Sequence, residues 1–231
     1  MKLHVREWGT GDRIAVLIHG ITSDSGGWWR LGRDLAARGY RVLAPDLRGH
    51  GLSPRGPYGP EAWAGDVLES VPPRPELALG HSLGGLVLAV AVDRLEPARA
   101  VYEDPAWRVP PERQAAAATQ FVAQKGWGRP QVVAACPRWS AEDLNAKLAA
   151  LPCWDPDTAR ALLDGTEWDH TPATPVVPSL VQLADPSDLV PPARADALEQ
   201  AGFEVRVVAG AGHSIHRDDY EGFLAGLAGW L

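Results

Sequence analysis

The amino-acid sequence predicts an α/β fold, in which helices cover both faces of a mostly parallel, twisted β-sheet. Signals for strands and helices alternate along most of the 231 residues, which is typical of sheets built from βαβ units. Hydrophobic residues make up 45% of the chain and charged residues 22%, as in globular proteins. Residues 106–172 depart from the alternation and have the pattern of a helical insertion.

The predicted strands are short apolar runs that end in glycine, proline or polar residues. In the first part of the chain they are Leu3–Glu7, Ile14–Ile18, Arg41–Ala44, Glu76–Leu79 and Ala98–Tyr102. Helices are predicted between them at Trp28–Arg38, Glu61–Ser70 and Leu83–Leu95. The last helix is apolar on nearly every side, so we expect it to be buried all round.

The second part of the chain begins with the segment that breaks the pattern. Amphipathic stretches separated by Gly and Pro occur at Pro111–Gln124, Ala141–Leu151 and Asp157–Leu163, without a clear strand, and half of the ten tryptophans lie in this region. We therefore predict a helical cap at residues 106–172, inserted into a core formed by residues 1–105 and 173–231. The core resumes with strand Ser179–Ala184, helix Pro192–Ala201, strand Glu204–Val208 and a closing helix at Asp218–Leu231.

Charge and cysteine content exclude several classes of protein. The formal net charge is −7 and no Lys/Arg run exceeds two residues, which argues against nucleic acid or an anionic membrane as the main partner. Two cysteines are too few for a secreted disulfide scaffold, and neither lies in a metal-ligand cluster. The N-terminus becomes polar at once, unlike a signal peptide. We expect a cytoplasmic protein that acts on a small molecule.

A nucleophile turn is predicted at Gly80-His81-Ser82-Leu83-Gly84, which fits the pattern G-x-S-x-G. Such a turn lifts a serine onto a sharp corner between a strand and a helix, where side chains larger than glycine would collide. The pattern alone is weak, but here it follows the apolar run Leu77–Leu79 and opens the buried helix. The sequence therefore indicates Ser82 as a nucleophile.

Acyl transfer also needs two N–H donors for the negative charge that develops on the carbonyl oxygen. The Leu83 N–H, directly after the nucleophile and at a helix N-terminus, is the first candidate. We expect the Ile21 N–H to be the second, because His19-Gly20 lets the chain turn back toward the serine. The ring of His19 is then expected to pin this loop rather than to transfer protons.

The general base is predicted to be His213, in the Gly-rich loop Gly210–Ser214 after the last strand, with His216 as its nearest rival. The acid that orients it is harder to identify, because several carboxylates follow predicted strands. Asp185 leaves its strand directly and is favoured. Asp188, three residues further, and Asp104, after an earlier strand, are the alternatives.

The chain resembles the α/β-hydrolase superfamily in His19-Gly20, the turn Asp46–Ser53, the nucleophile turn, the Asp185 loop and Gly212-His213. The resemblance implies an eight-stranded sheet with one antiparallel strand, a cap inserted after the sixth strand, and no cofactor. The N-terminus has room for only one strand before Ile14–Ile18, so the usual first strand is expected to be missing. Ser82 argues against the haloalkane dehalogenases and epoxide hydrolases of the superfamily, which have an aspartate at this position.

The function predicted from these features is that of a serine hydrolase that cleaves a carboxylic ester with an apolar part, without a metal ion. The same residues could act on a thioester, lactone, amide, carbon–carbon bond or peroxide. A third possibility is a ligand sensor that retains the triad and signals through movement of the cap.

Overall fold

The computed structural model describes all 231 residues and contains a seven-stranded sheet. The strands are β1 (Val5–Trp8), β2 (Arg13–Ile18), β3 (Tyr40–Pro45), β4 (Leu77–His81), β5 (Ala100–Glu103), β6 (Ser179–Leu183) and β7 (Glu204–Val207). They are ordered β1-β3-β2-β4-β5-β6-β7 across the sheet. Only β1 is antiparallel to its neighbour, and the other pairs are parallel. The predicted fold class is confirmed, with one strand before β2 as expected.

Ten helices accompany the sheet. They are α1 (Trp29–Ala37), α2 (Pro60–Ser70), α3 (Leu83–Leu95), α4 (Pro111–Gln124), α5 (Arg129–Ala135), α6 (Ala141–Cys153), α7 (Asp157–Leu162), α8 (Pro192–Gln200), α9 (Ile215–Asp218) and α10 (Tyr220–Gly226). The sequence did not predict α5, and the predicted closing helix is two short helices that start three residues earlier. No helix combines the length and the apolar character that crossing a membrane requires.

Apolar cores lie on both faces of the sheet, and strand β2 contributes side chains to both of them. Val16 and Ile18 belong to the core beneath α2, α3 and α8, whereas Ala15 and Leu17 belong to the core beneath α1 and α10. This alternation follows from the pleat of a strand, which points successive side chains to opposite faces. Both faces are therefore covered, as in other parallel sheets.

The four helices α4 to α7 connect β5 to β6, and residues 106–172 are called the insertion below. The insertion packs apolar side chains such as Trp107 and Leu162 into the core. It also forms polar contacts with the core: the Trp29 indole donates to Asp143 Oδ1 at 2.8 Å and the Trp139 indole donates to Asp218 Oδ1 at 3.0 Å. These contacts hold the insertion beside the carboxyl ends of the parallel strands, where active sites of such sheets lie.

Candidate active site

Ser82 lies on the corner between β4 and α3 in a strained backbone conformation. Its φ of 54° and ψ of −115° are unusual for any residue other than glycine. The two flanking glycines make this corner possible, because a Cβ on Gly80 would overlap the carbonyl oxygen of Gly84, and a Cβ on Gly84 would overlap that of Ile18. The predicted turn is therefore formed, with the serine side chain at the start of a buried helix.

His213 reaches Ser82 from the loop that follows β7. Its Nε2 lies 2.9 Å from the Ser82 Oγ, within hydrogen-bond distance. The loop is held by His81, whose Nε2 donates to the carbonyl oxygen of His213 at 3.0 Å. The histidine beside the serine thus fixes the backbone of the histidine that faces it.

The carboxylate beside His213 is Asp104, and this corrects the preference for Asp185. The His213 Nδ1 donates to Asp104 Oδ2 at 2.6 Å, and Asp104 is buried while its other oxygen is 3.4 Å from the Ala184 N–H. Asp185 instead is exposed and accepts a hydrogen bond from the Gly210 N–H at 3.1 Å. Asp188 directs only its main-chain carbonyl to a partner, the Arg113 guanidinium.

The order of the strands explains this correction. Strand β5 is the direct neighbour of β4, and Glu103 is level with His81, so Asp104 comes level with Ser82 at the same edge of the sheet. Strand β6 is one strand further from the serine. Asp185 also lies beyond that strand by two residues, and its side chain meets the start of the His213 loop rather than the imidazole.

Asp104 also shifts the pKa of His213. Burial lowers the pKa of this histidine, but the hydrogen bond and negative charge of Asp104, with Glu103 and Asp218 further away, outweigh it and raise the pKa above its ordinary value. The ring faces an open cavity, and 45% of its side-chain surface is accessible. An imidazolium on His213 is therefore stabilised, as a general base requires.

The two backbone amides predicted to bind an oxyanion flank the serine. The Leu83 N–H begins α3, and the Ile21 N–H belongs to the loop after β2; both residues line the same cavity as Ser82, and neither amide donates a hydrogen bond within the protein. A Cβ on Gly20 would lie only 3.2 Å from the Ser82 Cβ, so this loop passes directly beside the serine.

His19 fixes the orientation of the Ile21 amide. Its Nε2 accepts a hydrogen bond from the Leu47 N–H at 2.9 Å, so its Nδ1 carries the proton and donates to the Gly20 carbonyl at 2.8 Å. That carbonyl and the Ile21 N–H belong to the same planar peptide unit. Burial lowers the pKa of His19, consistent with a neutral ring that pins the loop.

A second pair of histidine and carboxylate lies behind the first and was missed from the sequence. Glu103 accepts hydrogen bonds from the His216 main-chain N–H at 3.0 Å and from the His216 Nδ1 at 2.8 Å. Arg217 Nε donates to His216 Nε2 at 3.2 Å. The side chains of Glu103, His216 and Arg217 are all buried. Burial, aided by the Arg217 charge, holds the pKa of His216 well below its usual value. The sequence contained one signal for this second pair: two adjacent carboxylates, Glu103 and Asp104, and two histidines three residues apart, His213 and His216.

An open cavity of about 730 Å³ adjoins Ser82 and His213, between the sheet edge and the insertion. Apolar side chains dominate the part contributed by the insertion and its neighbours: Ile21, Val109, Ala117, Phe121, Leu162 and Leu189. Arg108, Arg113 and Arg194 line it together with Glu112 and Asp188, so its charges are of mixed sign.

None of the ten tryptophans lines the cavity. Nor does any group of three or more His, Cys, Asp or Glu side chains have the arrangement of a metal site.

Comparison with known proteins agrees with this architecture. Residues 15–225 match the model of a family described as the alpha/beta hydrolase family. N-formylmaleamate deformylase of Pseudomonas putida is 28% identical over an alignment that covers 100% of this chain and 93% of that protein.

Solved structures give the same result. An enol-lactonase from Burkholderia xenovorans has a TM-score of 0.75 at 25% identity, over 99% of this chain and 95% of that chain. E-2-(acetamidomethylene)succinate hydrolase has a TM-score of 0.84 at 23% identity, over 98% and 94%. The similarity therefore extends over the whole chain, including the segment between β5 and β6.

Proposed function

The chain belongs to the alpha/beta hydrolase family, and we propose that within it the protein is a serine hydrolase with the triad Ser82, His213 and Asp104. The observation that carries the proposal is the continuous chain of hydrogen bonds from Asp104 through His213 to the Ser82 Oγ, which faces an open cavity. A nucleophile, its base and a group that orients the base are the parts that acyl transfer requires.

In the first half of the reaction, the Ser82 Oγ attacks the carbonyl carbon of the substrate while its proton passes to His213 Nε2. The carbonyl oxygen becomes an oxyanion that accepts hydrogen bonds from the Ile21 and Leu83 amides. The imidazolium, stabilised by Asp104, then donates its proton to the leaving alcohol or amine, the bond to that group breaks and an acyl-serine remains.

In the second half, water attacks the acyl-serine and His213 accepts a proton from it. The same two amides hold the second oxyanion, and the imidazolium returns the proton to Ser82 as the carboxylic acid leaves. No other group is needed for the transfer of protons. The roles of Ser82 and His213 are those predicted from the sequence, with Asp104 in place of Asp185.

We propose a carboxylic ester with an apolar part as the substrate. Ile21, Val109, Phe121 and Leu162 support this choice, because burying an acyl chain against them is favourable by about 25 cal/mol per Å² of apolar surface. The insertion, as a cap over this cavity, would exclude water from the apolar part of the substrate.

Hydrolysis of an amide is the second candidate. It is favoured by the similarity to N-formylmaleamate deformylase, which extends over the whole chain. Ester and amide hydrolysis use the same oxyanion and the same base, and they differ in the leaving group that must be protonated. The mixed charges of Arg113, Glu112 and Asp188 at the cavity could also bind polar parts of such a substrate.

Both candidates are tested by one set of assays. The wild-type protein and Ser82→Ala are compared on p-nitrophenyl esters of increasing acyl length and on N-formylmaleamate. We expect turnover of at least one substrate by the wild type and a decrease in kcat of roughly 10⁴–10⁶-fold in the variant. A fluorophosphonate should label Ser82, as located by mass spectrometry. Active protein that carries the label on another residue, or equal activity in Ser82→Ala, would contradict the proposal.

A further inference from the structure

Lys147, on helix α6 of the insertion, is buried without an acidic partner. It is 7% exposed, and its ammonium group donates to the Thr22 carbonyl at 3.1 Å, to the Thr22 hydroxyl and to Gln124 Oε1 at 2.9 Å. No carboxylate forms an ion pair with it. Burial, aided by the nearby Arg217, lowers the pKa of Lys147 to about 7. An apolar side chain would fill this space at lower cost, so packing alone does not account for a lysine here.

The residue that Lys147 holds is strained and adjoins the proposed oxyanion hole. Thr22 directly follows Ile21 and has a φ of 59°, a left-handed conformation that β-branched residues rarely adopt. Lys147 contacts both the main-chain carbonyl and the side-chain hydroxyl of this strained residue. Gln124, on α4, also lies 3.3 Å from the Thr22 hydroxyl.

The rest of the loop is fixed by residues of the core. His19 holds the Gly20 carbonyl, Arg217 donates to the Ser23 hydroxyl at 3.0 Å and Asp46 accepts from the Ser25 N–H at 2.7 Å. The side chains that hold Thr22 itself come from the insertion. The loop that carries the Ile21 amide is therefore completed by two side chains from the insertion.

We propose that Lys147 is a positioning residue that holds Thr22 in its left-handed conformation and thereby aims the Ile21 amide at the oxyanion. The inference depends on the proposed function, because it assigns Lys147 a role in the oxyanion hole of that reaction. The insertion then has a second role besides covering the substrate, because the contacts of α4 and α6 with the Thr22 loop fix the position of the Ile21 amide.

The test compares Lys147→Met with Lys125→Met on a p-nitrophenyl ester that the wild type hydrolyses. Lys125 is a matched control, since its ammonium group also donates to main-chain carbonyls, but to those of Pro152 and Trp154 within the insertion. A mispositioned donor reduces the stabilisation of the transition state but not the binding of the substrate. We therefore expect Lys147→Met to lower kcat by roughly 10–100-fold with KM within about twofold. Lys125→Met should remain within about threefold of the wild type.

Variants at position 22 separate positioning from a structural role. Thr22→Val keeps the strain and the shape but loses the hydroxyl contact, so kcat should fall severalfold at constant KM, and this variant remains informative if Lys147→Met does not fold. Thr22→Gly removes the strain, so in the Lys147→Met background it should raise kcat.

Three results would overturn the inference: equal kcat in Lys147→Met and the wild type, equal losses in the two lysine variants, or no recovery in the double variant. Failure of the proposed function gives a different result, because the wild type itself would then neither hydrolyse the substrates nor react with the fluorophosphonate at Ser82.

Discussion

At the scale of single residues, two neighbouring carboxylates at the end of β5 bind different histidines. Asp104 receives the Nδ1–H of His213, while Glu103 receives the Nδ1–H of His216 on the other side of the strand end. Both histidines lie in the segment after β7, so the second pair anchors the segment that carries the first. Glu103 is fully buried, and burial raises the pKa of its carboxyl group.

Substitution of Asp104 and Asp185 in turn tests which of the two carboxylates orients His213. We expect Asp104→Asn to lower kcat by roughly 10⁴-fold without unfolding, because the amide favours the wrong tautomer of His213 and no longer stabilises the imidazolium. Asp185→Asn should retain kcat within severalfold, since Asp185 only accepts from the Gly210 N–H. Steady-state kinetics and circular dichroism of both variants check this. A larger loss in Asp185→Asn than in Asp104→Asn would restore the original assignment.

The pH dependence of activity reports the same contact. Since Asp104 raises the pKa of His213, the imidazole keeps its proton to a higher pH, and the neutral form needed as base predominates only at a pH above the ordinary pKa of about 6.5. We therefore expect kcat/KM to rise with pH through an apparent pKa above 6.5. In Asp104→Asn the residual activity should show this rise at lower pH, because the stabilising charge is gone. An unchanged acidic limb in that variant would contradict the pairing.

Local sequence was sufficient to predict that Ser82 and His213 lie together, and insufficient to predict that Asp104 lies beside them. The Gly80–Gly84 pattern encodes the corner within five residues, and the loop after the last strand can reach it. The choice among three aspartates depends on which strand lies next to β4 and in which register. Strand order is a property of the assembled sheet, and no short-range pattern in the chain carries it.

At the scale of elements, most tryptophans of the insertion act as anchors. Three of them donate hydrogen bonds to the core or within the insertion: Trp107 to the Gly85 carbonyl at 3.1 Å, Trp139 to Asp218 and Trp154 to Thr158 at 2.7 Å. Each combines a large buried apolar surface with one satisfied donor. The concentration of tryptophan therefore reflects how the insertion is held together and attached to the core.

Glycine substitutions in two helices should have opposite effects on stability. Gly84→Ala places a methyl group against the carbonyls of Ile18 and His19, so we expect a loss of about 1–3 kcal/mol and reduced activity. Gly65, inside α2, has no atom within 4 Å of its Cβ position. Gly65→Ala should therefore gain about 0.5–1 kcal/mol from helix propensity. Thermal melts of both variants check this, and a stabilised Gly84→Ala would contradict the close approach.

Most elements were predictable because each of them carries its own signals. The helix Leu83–Leu95 and the helix Pro111–Gln124 agree with the structure at both ends. Helix α5 was missed because it is short, contains two adjacent valines and lies between Gly128 and Pro137, which indicate a loop. The closing helix is interrupted at Asp219, whose backbone is not helical and whose side chain caps α10 by accepting from the Gly222 N–H at 2.9 Å.

At the scale of the whole molecule, the sheet and the insertion contribute different properties to one cavity. The loops after β2, β4 and β5 carry the proposed oxyanion donor Ile21, the proposed nucleophile Ser82 and Asp104. The core beneath them holds Ser82 and Asp104 in strained but fixed backbone conformations. The insertion supplies much of the apolar wall and, through Lys147, part of the loop geometry. Changes to the apolar wall of the insertion, away from Lys147 and Gln124, should therefore alter substrate preference without removing the reaction.

Narrowing the cavity from the insertion tests this division. Ala117 and Ala115 lie on the same helix, α4, but Ala117 lines the cavity, whereas Ala115 is exposed and does not. Ala117→Phe adds a ring to the apolar wall, so we expect kcat/KM to fall at least tenfold for long-chain p-nitrophenyl esters and by less than threefold for the acetate. An effect of this size corresponds to about 1.4 kcal/mol, the burial of roughly two CH₂ groups. Ala115→Phe is the control, and its kcat/KM for both esters should equal that of the wild type. If Ala117→Phe slows acetate and long-chain esters equally, the apolar wall does not bind the acyl chain, and the substrate lies elsewhere in the cavity.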